Sequence, residues 1–325
     1  MSIAIIGAGL SGLTAARTLS DAGFDVSLFE KSRGTGGRMA SRRSEAGDLD
    51  LGAQYFTARH PDFQQAVANW QQRGWVAPWQ PVLPPRTDRA GALAEPERWV
   101  GTPSMSALTR GLRGELPAHF ACRIEHLKSS DAGWTLVDSE GQKYGPFSQV
   151  IVTLPAPQAA ALLIAAAPGL AAQAAAVAMR PTWVVALGFA RPLPVSLQAC
   201  FVRGPVLDWL ACNSSKPGRN NAMQSWILHA DSDWSKANHD LPADQVIAQL
   251  SAAFADAIGH PLPPADLSLA HRWLYARAAN EHNLGTLGDA EKGIYLCGDW
   301  CLSGRIEGAW LSGRQAAQQI LSTRT

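Results

Sequence analysis

The chain has 325 residues, enough for one large or two moderate domains with real cores. Hydrophobic residues make up 46% and the net charge is +1, which excludes a disordered chain and gives no electrostatic footprint for nucleic acid. No apolar run reaches the roughly eighteen residues that mark a membrane span; the Ala-rich stretch 159–178 comes nearest, and Pro168, Gly169 and Gln173 interrupt it.

The chain opens directly on an apolar strand pattern, so a cytoplasmic location without a leader is expected. Its five cysteines are an odd number without a Cys-x-x-Cys pair, and Cys297 and Cys301 lack the second pair or the histidine that a metal site needs. Free thiols and no metal are expected.

Ile3 to Ile6 predict a short buried strand. Gly7-Ala8-Gly9-Leu10-Ser11-Gly12 follows at once, then a helical pattern through Leu13 and Ala16 that Gly23 stops. Val26, Leu28 and Phe29 predict a second strand with Glu30 at its end. Strand, glycine turn, helix, strand and acid together make the dinucleotide-binding fingerprint in its required context. Gly7 serves the tight turn, Gly9 lets a diphosphate approach the backbone, and Gly12 lets the helix pack closely. The free N–H groups at the helix start favour the diphosphate, and the Glu30 carboxylate suits the ribose hydroxyls.

A second glycine cluster with basic residues follows, Lys31-Ser32-Arg33-Gly34-Thr35-Gly36-Gly37-Arg38. This stretch resembles the Gly-Gly-Arg segment of the amine-oxidase-like FAD superfamily, whose longer cofactor meets a second loop. The resemblance implies Gly37 and Arg38 at the diphosphate, with Ser11 and Lys31 among the cofactor contacts.

Asp48 to Gly52 alternate, and the polar, aromatic string Ala53-Gln54-Tyr55-Phe56-Thr57 follows. By the same resemblance the chain here returns to the flavin ring. Gln54, Tyr55 and Phe56 are therefore candidates for cofactor contact, and Tyr55 and Thr57 for substrate contact. Phe63, Val67 and Trp70 predict a helix, and the prolines from Pro78 to Pro96, Pro84 and Pro85 included, argue against regular structure across 75–100. A further helix is expected from Pro103-Ser104-Met105-Ser106.

Phe120, Cys122 and Ile124 alternate as the first strand of an antiparallel meander over 119–147. The resemblance places adenine beside this strand, with a backbone contact from Arg123 or Ile124. Val150 to Leu154 predict a buried strand that Pro155-Ala156-Pro157 stops. Strands are expected over Trp183–Phe189, Cys200–Val202, Trp209–Cys212, Ser225–Ala230 and Leu267–Tyr275, and an amphipathic helix over 241–258. Alternation puts Leu269, His271, Trp273 and Tyr275 on one face, and Ser225, Ile227 and His229 on one face. A polar, aromatic sheet face of this kind suits the roof over a flavin, with Tyr55, Trp183 and Trp273 against a flat ring and Asn213 and His229 as hydrogen-bonding partners.

Near the C-terminus, Gly293 to Asp299 read as a strand running into Gly-Asp, and Ile306 opens a final helix. This resembles the second FAD signature of the superfamily. Asp299 suits a ribityl hydroxyl, the helix start at Ile306 suits the electron-rich edge of the flavin, and Arg305 beside it would add a full charge.

Taken along its length the chain resembles the renalases within that superfamily, above all in Asp50-Leu51-Gly52-Ala53-Gln54-Tyr55 and Thr153-Leu154-Pro155-Ala156-Pro157. The fold so implied is α/β: a two-dinucleotide-binding, Rossmann-like FAD domain (1–58, 101–157 and 285–325) with an α+β substrate domain (59–100 and 158–284). The latter carries a mainly antiparallel sheet, as in p-hydroxybenzoate hydroxylase. The activity implied is oxidation of dihydronicotinamide dinucleotides carrying hydride at ring position 2 or 6, with O2 as acceptor and NAD(P)+ and H2O2 as products. No catalytic acid or base is expected, because hydride transfer leaves nothing to deprotonate. Cys301 lies in Asp-Trp-Cys-Leu, unlike the Ser-Gly-Gly-Cys setting of covalent flavin attachment, so FAD is expected to be non-covalent. A monomer with a small-molecule dinucleotide substrate is expected, with neither nucleic acid nor membrane as partner. An amine or carotenoid-type oxidoreductase and a flavin-binding scaffold without turnover stand as alternatives.

Overall fold

The structure, a computed structural model of the chain, describes residues 1–84, 96–220 and 222–323. Pro85 and the rest of the proline-rich loop up to residue 95 lie outside the described residues. The chain divides into two compact units: Met1–Gly37, Thr109–Met179 and Arg277–Thr325 form one, and Arg38–Leu108 and Arg180–Ala276 the other.

The first unit is built on a six-stranded sheet in the order Leu287–Asp289, Ile294–Leu296, Gln149–Val152, Ser2–Ile6, Asp25–Glu30, Ala118–Phe120. All neighbours are parallel except the first two. Ile3, Ile5, Leu28, Val150 and Ile151 are wholly buried, as parallel strands covered on both faces require. The first helix, Leu10–Asp21, and the closing helix, Ile306–Ser322, pack so tightly that a Cβ at Gly313 would overlap the Ser11 backbone. On the other side a three-stranded antiparallel sheet (Ile124–Ser130, Gly133–Asp138, Lys143–Phe147) and the Ala-rich helices Ala156–Leu163 and Pro168–Ala175 share one core with Val150, Val152 and Leu296.

Two expectations are corrected in this unit. The alternating strand through Phe120, Cys122 and Ile124 is two strands: Ala118–Phe120 joins the parallel sheet, and Ala121 turns the chain with φ of 53° before Ile124 starts the meander. The Ala-rich helices, expected in the substrate domain, belong here, because small side chains let them lie against the sheet.

The second unit carries a five-stranded sheet in the order Ala199–Phe201, Leu207–Cys212, Gln224–Ala230, Met179–Phe189, Leu267–Ala278. Alternation along the strands makes two different faces. Trp183, Val185, Leu187, Trp226 and Leu228 face the amphipathic helix Ala243–Ile258 through its Val246, Leu250 and Phe254. Val184, Ala186, Ile227, Leu269 and Trp273 pack instead on Ala46, Leu49 and Leu51. Residues 38–58 and 101–108 thus belong to the sheet unit, not to the dinucleotide unit as expected, because Leu49 and Leu51 bury themselves on this second face. The proline-rich region is also more regular than expected at its ends, where Val76–Pro78 pairs antiparallel with Trp99–Gly101. No helix among the described residues is long and apolar enough to cross a membrane.

Candidate functional site

In the dinucleotide unit the fingerprint is a backbone device. Gly7 leaves the first strand with φ of 111°, a left-handed conformation that glycine takes without strain. A Cβ on Gly12 would overlap the Gly7 carbonyl oxygen, and one on Gly7 would stand 2.5 Å from Thr153 Oγ1. The Thr153 hydroxyl donates to the carbonyls of Ile6 (3.0 Å) and Gly7 (3.1 Å), so the strand Gln149–Val152 locks the turn from below. Gly9 caps the first helix, and the space where its Cβ would stand is open.

The second glycine cluster comes back onto this loop. The Gly36 N–H donates to Ala8 O at 3.0 Å, and a Cβ on Gly37 would lie 3.5 Å from Gly9 Cα. Glu30 is buried, and its two carboxylate oxygens accept the backbone N–H groups of Ala8 and Ser32, each at 2.8 Å. Each oxygen keeps a further lone pair for a ribose hydroxyl. Open backbone at Gly9, a helix start with no acidic residue in its first turn, and a fixed carboxylate fit the adenosine diphosphate half of FAD.

Other expected cofactor residues fall less simply. Ser11 turns inward, donating to Cys297 Sγ at 3.2 Å, so its contribution to a diphosphate is limited to the backbone N–H. Lys31 is exposed, and the Ile124 side chain is buried in the core. Asp299 is buried in a single 3-10 turn, Asp299–Cys301, and its carbonyl accepts the N–H groups of Leu302 and Gly304, both at 2.9 Å. Ile306 begins the closing helix as expected, but Arg305 is exposed and paired with Glu281 at 3.2 Å, which draws its charge to the surface. Burial raises the Cys297 thiol to about 12 and the Cys301 thiol also well above its ordinary range, so both are inert packing groups. Among the described residues all five cysteines are free, and no group of side chains could hold a metal ion.

The sheet unit contains a cluster that the sequence did not reveal. Asp50, Lys216 and Arg219 form a buried ion triad, with Asp50 Oδ2 3.1 Å from Lys216 Nζ and 2.5 Å from Arg219 Nη2. The other carboxylate oxygen accepts the Ser41 hydroxyl (2.7 Å) and the Met105 N–H (3.0 Å). Burial alone would raise the Asp50 pKa, but Lys216 and Arg219 outweigh it and bring it down to about 2. Desolvation lowers Lys216 to about 8 against the pull of Asp50. Arg219 also donates to the carbonyls of Gly101 and Pro103, each at 2.8 Å.

Gln54 is tied to this triad. Its Oε1 accepts Lys216 Nζ at 3.1 Å, and its Nε2 reaches the carbonyls of Asp50 and Gly52 and, at 3.4 Å, His229 Nε2. Tyr55 next to it joins an aromatic group with Trp209 and Trp79, ring centroids 5.6 and 6.3 Å away. The Arg98 guanidinium lies over the Tyr55 ring at 5.4 Å, and Lys216 Nζ over Trp79 at 5.6 Å.

Of the expected substrate residues, Tyr55 and His229 are brought together here, beside Gln54, a residue expected at the cofactor, and Thr57 is half-buried further along the same segment. Phe56 packs on Phe63, centroids 6.0 Å apart, as a core residue. Trp273 lies on the anticipated face with its indole N–H on Leu51 O at 3.1 Å. Trp183 is a correction: strand parity turns it to the helix-covered face, where its N–H donates to Asn238 O at 3.0 Å. Asn213 is a second correction. Its amide is used internally, by Asp48 O at 3.0 Å and by Lys216 Nζ at 3.4 Å, which makes it a support for the triad. Arg38, in this unit, donates to Ala276 O at 3.0 Å.

Residues 92–321 match the family described as flavin containing amine oxidoreductase, and residues 5–70 match the NAD(P)-binding Rossmann-like domain. A 52-residue stretch is 42% identical to a 4,4'-diapophytoene desaturase of Staphylococcus aureus (strain Newman). That match covers 16% of this chain and 10% of the desaturase, so the chain spans about a tenth of the length of the curated relatives it matches. Among solved structures, a protein of Exiguobacterium sp. 255-15 provisionally assigned as a protoporphyrinogen oxidase superposes with a TM-score of 0.75 at 13% identity, over 99% of both chains. A putrescine oxidase bound to putrescine does so with the same score, identity and coverage. At such identity these two establish the fold, and the family match extends over most of the chain. The protein belongs to the flavin-containing amine oxidoreductase family, with FAD as a non-covalent cofactor.

Proposed function

We propose that this protein is an oxidase of isomeric dihydronicotinamide dinucleotides, those carrying hydride at position 2 or 6 of the ring, acting as a monomer in the cytoplasm. The balanced reaction takes dihydro-NAD(P), O2 and a proton to NAD(P)+ and H2O2. FAD, when bound, supplies the hydride acceptor and passes the electron pair to O2. Glu30, Gly9 and Gly37 would hold its adenosine diphosphate half, and Asp299 and the start of the closing helix its flavin half.

One observation supports this substrate class over an alkylammonium ion: the aromatic faces that would receive a cation already carry the chain's own cations, Arg98 over Tyr55 and Lys216 over Trp79. The carboxylate in that cluster, Asp50, is shared by the same Lys216 and by Arg219. The surroundings favour a neutral, planar ring borne on an anionic dinucleotide. A hydride donor needs positioning rather than a base, and Gln54 and His229 are held in place by hydrogen bonds as positioning demands. A second reading, oxidation of an amine, is favoured by the family match.

Anaerobic mixing of the yellow holoprotein with 2- and 6-dihydro-NAD, with ordinary NADH and with a panel of amines separates these readings. Bleaching of the flavin by the two isomers is the expected result. Bleaching by amines alone transfers the assignment to the second reading, and bleaching by none removes both.

A further inference from the structure

We infer that the indole N–H of Trp209 is the substrate-binding donor of the sheet unit and receives the carboxamide oxygen of the nicotinamide ring. This rests on the substrate class proposed above and names the residue that would recognise it.

Trp209 is 4% exposed, and its Nε1–H has no acceptor among the described residues. Buried indole N–H groups are as a rule hydrogen-bonded, and the local geometry explains why this one is not. By strand register the candidate acceptor is His229, directly opposite on the adjacent strand in the pairing of Leu207–Cys212 with Gln224–Ala230. His229 is prevented from serving. The Lys216 ammonium is a donor only, so the Gln54 atom facing it at 3.1 Å is the carbonyl oxygen. The Gln54 amide NH2 is thereby turned towards the carbonyls of Asp50 and Gly52 (3.0 Å to Gly52) and towards His229 Nε2 (3.4 Å). A ring nitrogen facing an NH2 group carries the lone pair, which leaves the proton of the neutral ring on Nδ1. The Gln54 NH2 stands against the acceptor nitrogen of His229, and the buried triad fixes that placement. Beside the indole stand Tyr55 and Phe201, with centroids at 5.6 and 4.4 Å, so the donor sits among aromatic rings. A flat ring bearing one carbonyl acceptor matches a lone directional donor among aromatic faces, whereas an ammonium group, itself only a donor, does not. In this arrangement Lys216 is a positioning residue: it acts through Gln54.

The test compares Trp209→Phe with the wild-type holoprotein for two redox-inactive ligands, NAD+ and a pyridine-adenine dinucleotide lacking the carboxamide, with binding followed by the flavin spectrum. The expected result is NAD+ binding weakened about 5- to 10-fold, the size of one hydrogen bond, with the analogue bound as well as by the wild type. The phenyl ring keeps most of the packing, and the analogue controls for any general distortion within the same variant. Equal weakening of both ligands, or of neither, overturns the assignment. A second measurement reads the site without a substitution in it. In 15N-indole-labelled wild-type protein, the resonance that is missing from Trp209→Phe should move downfield with NAD+ and not with the analogue; an unmoved resonance overturns the proposal. If the dihydro isomers fail to bleach the flavin while the indole still responds to NAD+, the reaction assigned above falls and this site stands. If they bleach it while the indole stays unresponsive, the reaction stands and this site falls. A wild-type protein that does not bind NAD+ removes this site, and bleaching by the isomers then decides the reaction alone.

Discussion

The glycine cradle and the buried ion triad are polar structures made on opposite principles. Around Gly7, Gly9 and Gly12 the working groups are backbone N–H groups and carbonyls; at Gly7 and Gly12 there is no room for a side chain, and at Gly9 the space beside the backbone stands open. Around Asp50 the working groups are three ionised side chains, Asp50, Lys216 and Arg219, all but sealed from water. The first arrangement gains its charge preference from the helix start without burying a formal charge. The second carries a large desolvation penalty that only the mutual pairing of the three charges offsets, so it is stable as a set and not in parts. A backbone device fits a cofactor's phosphates by shape; an ionic set fixes the orientation of a neutral group such as the Gln54 amide.

The largest effect that this contrast predicts comes from breaking the set. Asp50→Ala would leave Lys216 and Arg219 facing each other without their shared carboxylate, and should lower unfolding free energy by about 3–5 kcal/mol. Urea denaturation of the holoprotein measures it. A loss below about 1 kcal/mol, the range of an exposed pair, would show that water reaches the cluster and that the two polar structures differ less than their burial implies.

A somewhat smaller effect is expected in the cradle, and it separates two glycines that look alike in the sequence. Gly12→Ala sets a methyl group on the Gly7 carbonyl and forces the turn open, at a cost of about 3 kcal/mol. The purified variant should be colourless. Gly9→Ala meets nothing within 4 Å and should leave the unfolding midpoint nearly unchanged while reducing FAD content, because its methyl projects where the diphosphate approaches. Full FAD occupancy in Gly9→Ala would mean that the open space above Gly9 is not the cofactor's.

How much of this was legible in the sequence follows from the same contrast. The cradle is local: its glycines, helix and acid lie within one stretch of chain, and each residue type has one steric reason to be there. The closing Gly298-Asp299 and the helix from Ile306 were readable for the same reason. The triad is not local. Asp50 lies 166 residues from Lys216 and 169 from Arg219, and it reads as one polar residue in an alternating stretch. Lys216 and Arg219 stand among serine, proline and glycine, a pattern that ordinarily marks a solvated turn. Strand parity was the other gap. Trp183 and Trp209 are both tryptophans in strands of one sheet, but the chain passes through a register shift between Leu207 and Trp209, and the two rings end on opposite faces. Alternation assigns faces within a strand and cannot say which face will be covered by a helix.

The smallest of these effects is a pH limb that isolates the charge of Asp50 from its shape. Its pKa lies near 2 in the folded chain against an ordinary 3.8, so between those values the folded state binds fewer protons than the unfolded one. Stability from this group is therefore complete above about pH 4 and is lost as pH falls through 2, by about 2 kcal/mol in all. Asp50→Asn keeps the side-chain shape and lowers stability at every pH. It should also flatten this limb, because no proton remains to be taken up. The readout is the slope of unfolding free energy against pH, not its level, which separates the titration from the general damage of losing a partner. Lys216 does not disturb the measurement. Burial lowers its pKa to about 8 from 10.5, so its own contribution increases as pH rises between those values, far from the acid window. An acid limb that survives unchanged in Asp50→Asn would assign the loss to other carboxylates and show that Asp50 does not hold its proton affinity down through Lys216 and Arg219.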